Sequence, residues 1–319
     1  MTSEPSPQPR PRWPYVLGCG LAMGSADVVP GVSGGTMAFI LGVYGQLLEA
    51  VAGFDLELLA LLRRAAGGEA GAWRAAAARV HLGFLVPLVS GLLAAVLILV
   101  RPITWLYANQ PVLLFAFFFG LIVGSIVLIM RHAHWGGTGL VAMTVGVVGA
   151  LLLVTQVPVT MPHDPFTIFW SGAVAIMAMI LPGVSGSFLL LVLGQYQHVM
   201  EAVKALDLGT LVPFAAGCLV GLAVFVRLLR WLLHRWHGQT VALLVGFMAG
   251  SLWKIWPFRV VLESTVNSKG NVIVLRDALA RPPSIGALAT VLLLMGLGIA
   301  LVASLERLQD RAGGAAMGS

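Results

Sequence analysis

Apolar and polar positions along this chain fall into blocks. Six apolar stretches, at 82–100, 112–130, 139–157, 211–226, 239–257 and 284–304, each approach the roughly 20 residues a helix needs to cross about 30 Å of hydrocarbon. A seventh, 15–51, is too long for one simple span and is interrupted at "VVPGVSGG". The polar segment 57–81, rich in Ala and Arg, reads as an amphipathic surface helix inserted between apolar blocks. Residues 1–13, with their Pro and polar side chains, read as a disordered tail, and 306–319 as the C-terminal tail, whose final "AGGAAMGS" reads as disordered too. The pattern predicts an all-α polytopic membrane protein with one transmembrane domain over 14–305.

The interruption is written twice. Sliding 30–56 onto 182–208 matches 13 of 27 positions, including Pro30/Pro182, Ser33/Ser185, Gly42/Gly194, Tyr44/Tyr196 and Glu49/Glu201. At an offset of 126, "LGFLVPLVSGLLAAVLILVRPITWL" (82–106) runs beside "LGTLVPFAAGCLVGLAVFVRLLRWL" (208–232), pairing Arg101 with Arg227. The two offsets differ because the first copy carries the 57–81 insert. The halves lie near 14–157 and 166–305.

Arginine placement sets their relative orientation. Pro removes a donor and clashes with the preceding turn, while Gly permits a tight reversal, so 15–51 reads either as one interrupted span or as a re-entrant hairpin. Taken as a hairpin, it puts the N-tail, the 52–81 and 131–138 loops, the 227–238 loop and the C-tail on one face. That face holds 12 of the 19 Lys and Arg, as short cytoplasmic loops do. An interrupted span would throw the four arginines of 52–81 and Arg131 outside. The hairpin is therefore preferred, and each half becomes a re-entrant helical hairpin plus three transmembrane helices. Three is odd, so the second repeat is inverted and both termini are cytoplasmic.

Composition narrows the class further. Only 10% of residues are charged, against about 25% in soluble domains, and mean hydropathy is +0.94. The formal charge of +6 therefore speaks for membrane orientation and not for nucleic acid. Cys19 and Cys218 lie in apolar sequence and read as packing residues, and the seven histidines lack metal-ligand spacing. No cofactor or metal is expected.

Candidate chemistry gathers at the two breaks. A helix is expected to begin near Thr36 and again near Phe188. Its first amides lack intrahelical partners, Ser33 and Ser185 are placed to cap or donate, and two facing N-termini suit an anion. Irregular backbone at membrane depth must be buried or line a polar cavity. The candidate substrate-binding set is Pro30, Gly31, Ser33, Gly34, Gly35 and Thr36 with Pro182, Gly183, Ser185, Gly186 and Ser187. Arg101 and Arg227, read as ending matched spans, either snorkel or gather a lipid phosphate. Asp27, three residues before Pro30, costs roughly 2.5–3.5 kcal/mol to place in the membrane and is the first candidate for ion coupling. The alternative for Asp27 is a hydrogen bond to the apex amides. Glu49 and Glu201, about 24 Å along a straight helix from the serines, are further ion-coupling candidates or solvated helix-end acids.

The long motif "MGSADVVPGVSGGTMAFILGVYGQLLEAV" (23–51) and its echo at 177–203 resemble a bacterial family once catalogued as a domain of unknown function and since associated with undecaprenyl-phosphate translocation. The resemblance extends over nearly the whole chain. It implies a lipid-carrier transporter that returns undecaprenyl phosphate, or a related polyprenyl phosphate, from the outer to the inner leaflet of the bacterial cytoplasmic membrane. Membrane lipids, and protons or sodium as coupling ions, are the implied partners. The competing reading is a transporter or channel for another small anion or lipid phosphate. A membrane phosphatase would need a Lys/Arg cluster and a "PSGH"-like stretch, which the sequence lacks, so no enzyme is expected.

Overall fold

The computed structural model describes residues 13–29, 32–132, 136–156, 159, 161–266 and 272–316. The first half begins with α1 (Trp13–Asp27), α2 (Gly34–Ile40) and α3 (Tyr44–Ala52). The insert follows as α4 (Leu56–Ala66) and α5 (Ala72–Arg79), and α6 (Leu82–Asn109), α7 (Pro111–His132) and α8 (Gly137–Val154) complete the half. The second half repeats the order without the insert: α9 (Pro165–Ile180), α10 (Gly186–Val192), α11 (Tyr196–Ala205), α12 (Leu208–Arg235), α13 (His237–Ser251) and α14 (Ile285–Ala316). A hairpin of β1 (Arg259–Val266) and β2 (Val272–Leu279) separates α13 from α14.

Five described helices are long and apolar enough to cross a membrane, and this is a multi-pass membrane protein. They fall on five of the six expected apolar stretches. The sixth, 239–257, yields only the 15-residue α13, which ends in turns at 252–255 and is sealed inside the fold with Leu244, Val245 and Met248 fully buried. Its apolar character reflects burial among other helices.

Close helix packing reproduces the sequence repeat residue by residue. Any Cβ on Gly20 of α1 would collide with the Leu88 carbonyl of α6, and any on Gly172 of α9 with the Phe214 carbonyl of α12. These two contacts are the same pair of positions in the two copies. Gly120 of α7 sits against Met295 of α14, and Gly246 of α13 against Met143 of α8, again at matched offsets. So α1 pairs with α6 and α9 with α12 inside each half, whereas α7–α14 and α13–α8 cross between halves. Small residues are what permit such backbone approach in lipid, where no hydrophobic force pulls helices together.

Four expectations need correction. The insert forms two short helices, not one, held by Asp55 capping Leu58 N and by the Arg79–Asp55 ion pair. The helix after each break starts at Gly34 and Gly186, two residues earlier than expected, because Ser33 and Ser185 are the N-cap residues. It is also short. Gly42 (φ +69°) and Gly194 (φ +70°) take the left-handed conformation that ends a helix, and α3 leaves α2 at 119°. Finally, α14 runs on to Ala316, well into the expected C-terminal tail. Residues 1–12 lie outside the described ones.

The hairpin was not foreseen. It is antiparallel, with Arg259 opposite Leu279, Val260 opposite Ala278 and an irregularity around Glu263. At its base the Ala280 amide donates to the Phe258 carbonyl at 2.9 Å. Buried Phe258 and the edge-to-face pair Trp256–Phe119 fix that base against α7.

Candidate functional site

The two breaks are brought together. Where α9 stops at Ile180 its last carbonyls lose their intrahelical donors. Two side chains from the first half supply them: Ser33 Oγ donates to the Met179 carbonyl at 3.2 Å and Tyr44 OH to the Ile180 carbonyl at 3.0 Å. In the other direction the Gly183 amide donates to Thr36 Oγ1 at 2.7 Å. Gly183 carries φ +90° and passes so near α13 that a Cβ would lie 2.8 Å from Ser251 Oγ and 2.9 Å from the Phe247 carbonyl. Only glycine suits that combination of dihedral and space. Gly35 lies equally close to the Met179 and Ile180 carbonyls.

The expected pair of open helix termini is one closed and one open. At the first break the Gly34 amide donates to Asp27 Oδ1 at 2.6 Å, the Gly35 amide to Ser33 Oγ at 3.1 Å, and the Thr36 amide to the Ser33 carbonyl at 3.0 Å. Ser33 and Thr36 are buried, with 1% and 0% of their surface exposed. At the second break Ser185 makes no capping bond, and its hydroxyl pairs only with Ser187 Oγ, at 2.9 Å. The amides of Gly186, Ser187 and Phe188 find no acceptor among the described residues. Ser187 is exposed and Ser185 half-buried.

The remaining candidates separate into groups. Pro30 and Gly31 lie outside the described residues. Pro182, Gly183 and Gly186 are buried at the second break. Asp27 ends α1, stays accessible, and adopts the apex hydrogen bond weighed as its alternative role. In the second copy the matching place beside Gly186 is taken by Met179, whose Cβ lies 3.3 Å from where a Gly186 side chain would start. Arg101 and Arg227 are exposed. They do not end their helices, which continue to Asn109 and Arg235, and Arg227 donates to its own helix at the Ala223 carbonyl. Glu49 and Glu201 are exposed on α3 and α11, beyond the bend, so the straight 24 Å reach does not apply.

Sequence reasoning missed three participants. Lys254, which falls within the apolar stretch 239–257, holds its Nζ 5.0 Å from the Phe188 ring centroid, one residue past Ser187. Tyr44 bonds across the halves, although its match with Tyr196 was visible. His163 and His198, taken as scattered, stack with centroids 4.3 Å apart, and fully buried Gln195 bonds His163 Nδ1 at 2.9 Å. Among the described residues no group of three or more His, Cys, Asp or Glu could hold a metal ion, and both cysteines are free.

Chemically, the second break offers hydroxyls, unpaired amides and a nearby ammonium, which together replace the water around an oxyanion. A family model described as "undecaprenyl phosphate translocase-like" matches residues 23–273. A polyprenyl-phosphate transporter of Vibrio cholerae is 39% identical over 302 residues, covering 92% of this chain and 96% of that protein. One of Staphylococcus aureus is 30% identical over 265 residues, covering 77% and 87%. No solved structure matches this chain.

Proposed function

The chain belongs to the undecaprenyl phosphate translocase-like family, and on that footing we propose that it moves a polyprenyl phosphate from the outer to the inner leaflet of the cytoplasmic membrane. The halves form one transmembrane domain over 14–305 and are inverted relative to one another. The three spans between the breaks, α6, α7 and α8, and the arginine-rich face read from the sequence support the inversion, and we place both termini on the cytoplasmic side. The lipid phosphate is held at the second break by Ser185, Ser187 and the amides of 186–188, with Lys254 balancing its charge. The first break, with Ser33, Gly34, Gly35 and Thr36, holds that backbone in place. The observation that carries this reading is the unspent donor set at 185–188 beside a first break where the amides of Gly34, Gly35 and Thr36 each have an acceptor. The prenyl tail stays in lipid while the head group crosses. Arg101 and Arg227 meet head groups at the interface.

Moving an anion inward opposes an inside-negative potential by about 2.3 kcal/mol per charge per 100 mV. Coupling to protons or sodium offsets this, with Asp27 as the ion-carrying group and Glu49 and Glu201 at the two ends of the path. Asp27→Asn keeps an oxygen for the Gly34 amide and removes the charge. In proteoliposomes the unmodified protein is expected to move lipid at least tenfold faster with an imposed ion gradient, and D27N to show no such response. A D27N protein that still follows the gradient would refute the role of Asp27.

A further inference from the structure

Away from the breaks, a polar cavity of about 370 Å³ opens where the end of α3, the insert and the last turns of α12 meet. Glu49, Ala52, Arg79, His81 and Arg230 are among its walls. The two arginines differ. Arg79 is engaged, bonding Asp55 and reaching Glu57 Oε2 at 2.6 Å. Arg230 has a fully buried Nε with no hydrogen-bond partner among the described residues. An unmet buried donor is costly, by about 1–3 kcal/mol, so the Arg230 guanidinium gains by turning to an acceptor in the cavity that the described residues do not supply. Glu49, on the same wall-set, makes no ion pair among the described residues.

We propose that this cavity is a second phosphate site, specific for a phosphate that keeps an ionisable hydroxyl, such as a monoester head group. Arg230, a wall residue of the cavity, turns its guanidinium to donate to one phosphoryl oxygen, His81 offers a further ring N–H, and Glu49 accepts from the P–OH. The carboxylate sets the specificity. A monoester, with a second pKa of about 6, is about half protonated at pH 6 and there has a proton to share with Glu49, so the preference is read at about pH 6 and weakens as pH rises. A phosphodiester lipid has none and meets only repulsion. Asp55 and His81 flank the insert, and the insert has no counterpart in the second half, so the site exists on one face only. Resting on the transport reading and its orientation, that face is the cytoplasmic one. There the cavity receives the head group after crossing and favours release of a monoester over the bulk phospholipids around it.

The test uses the full chain in nanodiscs with Ser185 and Ser187 both changed to Ala, which removes the hydroxyls of the second break; binding kept by its amides and Lys254 does not respond to changes at Arg230 or Ala52, and binding in the cavity does. Farnesyl phosphate, its monomethyl ester and inorganic phosphate are titrated and followed by 31P NMR. Farnesyl phosphate is expected to bind at least tenfold more tightly than the methyl ester. Arg230→Gln, and Ala52→Phe, which fills the cavity, should each weaken it at least tenfold. Glu49→Gln, at an exposed position that tolerates change, should erase the preference for the monoester. Competition by inorganic phosphate assigns the site to the phosphate group alone, and its absence to the lipid; both keep the assignment. Equal binding of the two esters, or unchanged affinity in R230Q and A52F, overturns it. Lipid transport by unmodified protein alongside that negative result leaves the transport reading standing. Absent transport with intact monoester binding would sink only the latter.

Discussion

The same Pro-Gly-Val-Ser-Gly sentence gives two different objects. The first break is finished: each amide of Gly34, Gly35 and Thr36 has its acceptor, and Ser33, Thr36 and Tyr44 spend their hydroxyls on the backbone of the second. The second break is unfinished, its serines touching only each other and Tyr196 making none of the bonds that Tyr44 makes. Three replacements account for the divergence. Asp27 corresponds to Met179, Gly35 to Ser187, and Thr36 to Phe188. Duplication thus supplied two broken helices, and substitution made one a brace and left the donors of the other unspent, as the proposed receptor role requires. Matched sequence at a site does not mean matched duty.

The sharpest way to break that division is to disturb the joint between the two. Gly183→Ala forces a left-handed dihedral on an L side chain, costing about 1–2 kcal/mol. It also drives a Cβ against Ser251 and Phe247, adding about 1–3 kcal/mol of overpacking. The expected loss is about 3 kcal/mol, visible as a clearly lowered midpoint of thermal unfolding in detergent. An unshifted G183A midpoint would mean that the second break is not held as tightly as its contacts with Thr36 and α13 require.

Much of this architecture was legible. Apolar blocks gave the long helices α6, α7, α8, α12 and α14, and the offset match gave the pairing logic later seen in the Gly20/Gly172 and Gly120/Gly246 contacts. Other features were hidden for physical reasons. Gly42 and Gly194 stood out as matches, but identity does not reveal a positive φ, so the 119° bend went unseen. The strands "RVVLESTV" and "VIVLRDAL" are rich in β-branched residues, yet their charges made the whole segment read as loop. Which break would be open depended on Tyr44 and Thr36 reaching 136 and 147 residues along the chain, and on Lys254 meeting Phe188 from a separate element, and no local pattern encodes that.

A second pair of changes asks whether brace and receptor are separable. Ser33→Ala removes both the N-cap of α2 and the bond to the Met179 carbonyl, for an expected loss of about 1–2 kcal/mol in stability. Ser185→Ala removes only a hydroxyl pair on accessible surface, so stability should stay within about 0.5 kcal/mol. Lipid movement in proteoliposomes should respond differently. S185A is expected to slow it about tenfold with an unchanged unfolding midpoint, whereas S33A lowers the midpoint first. Equal effects of the two on both measurements would erase the distinction between the breaks.

The smallest effect concerns the aspartates that close the repeated motif, Asp55 and Asp207. Asp207 caps α12 directly, accepting from the Gly209 amide, and its carboxyl is lowered chiefly by the Thr210 hydroxyl. Asp55 caps α4, accepting from the Leu58 amide, and the bonded Arg79 guanidinium holds it down at about 2. A depressed carboxylate stabilises the fold above its unfolded value of about 3.9 and loses that contribution as pH falls toward the folded value. The insert should therefore be equally tight from pH 8 to 5 and loosen between about 4 and 2. An accessible ion pair of this kind is worth under about 1 kcal/mol. Asp55→Asn at neutral pH should accordingly speed amide exchange in α4 and α5 by no more than about fivefold, leaving α12 untouched. Asp207→Asn should do the reverse, loosening the first turn of α12 and sparing the insert. Exchange that spreads from either site into the other half would show that the two copies of the motif are mechanically joined at this end as well as at the breaks.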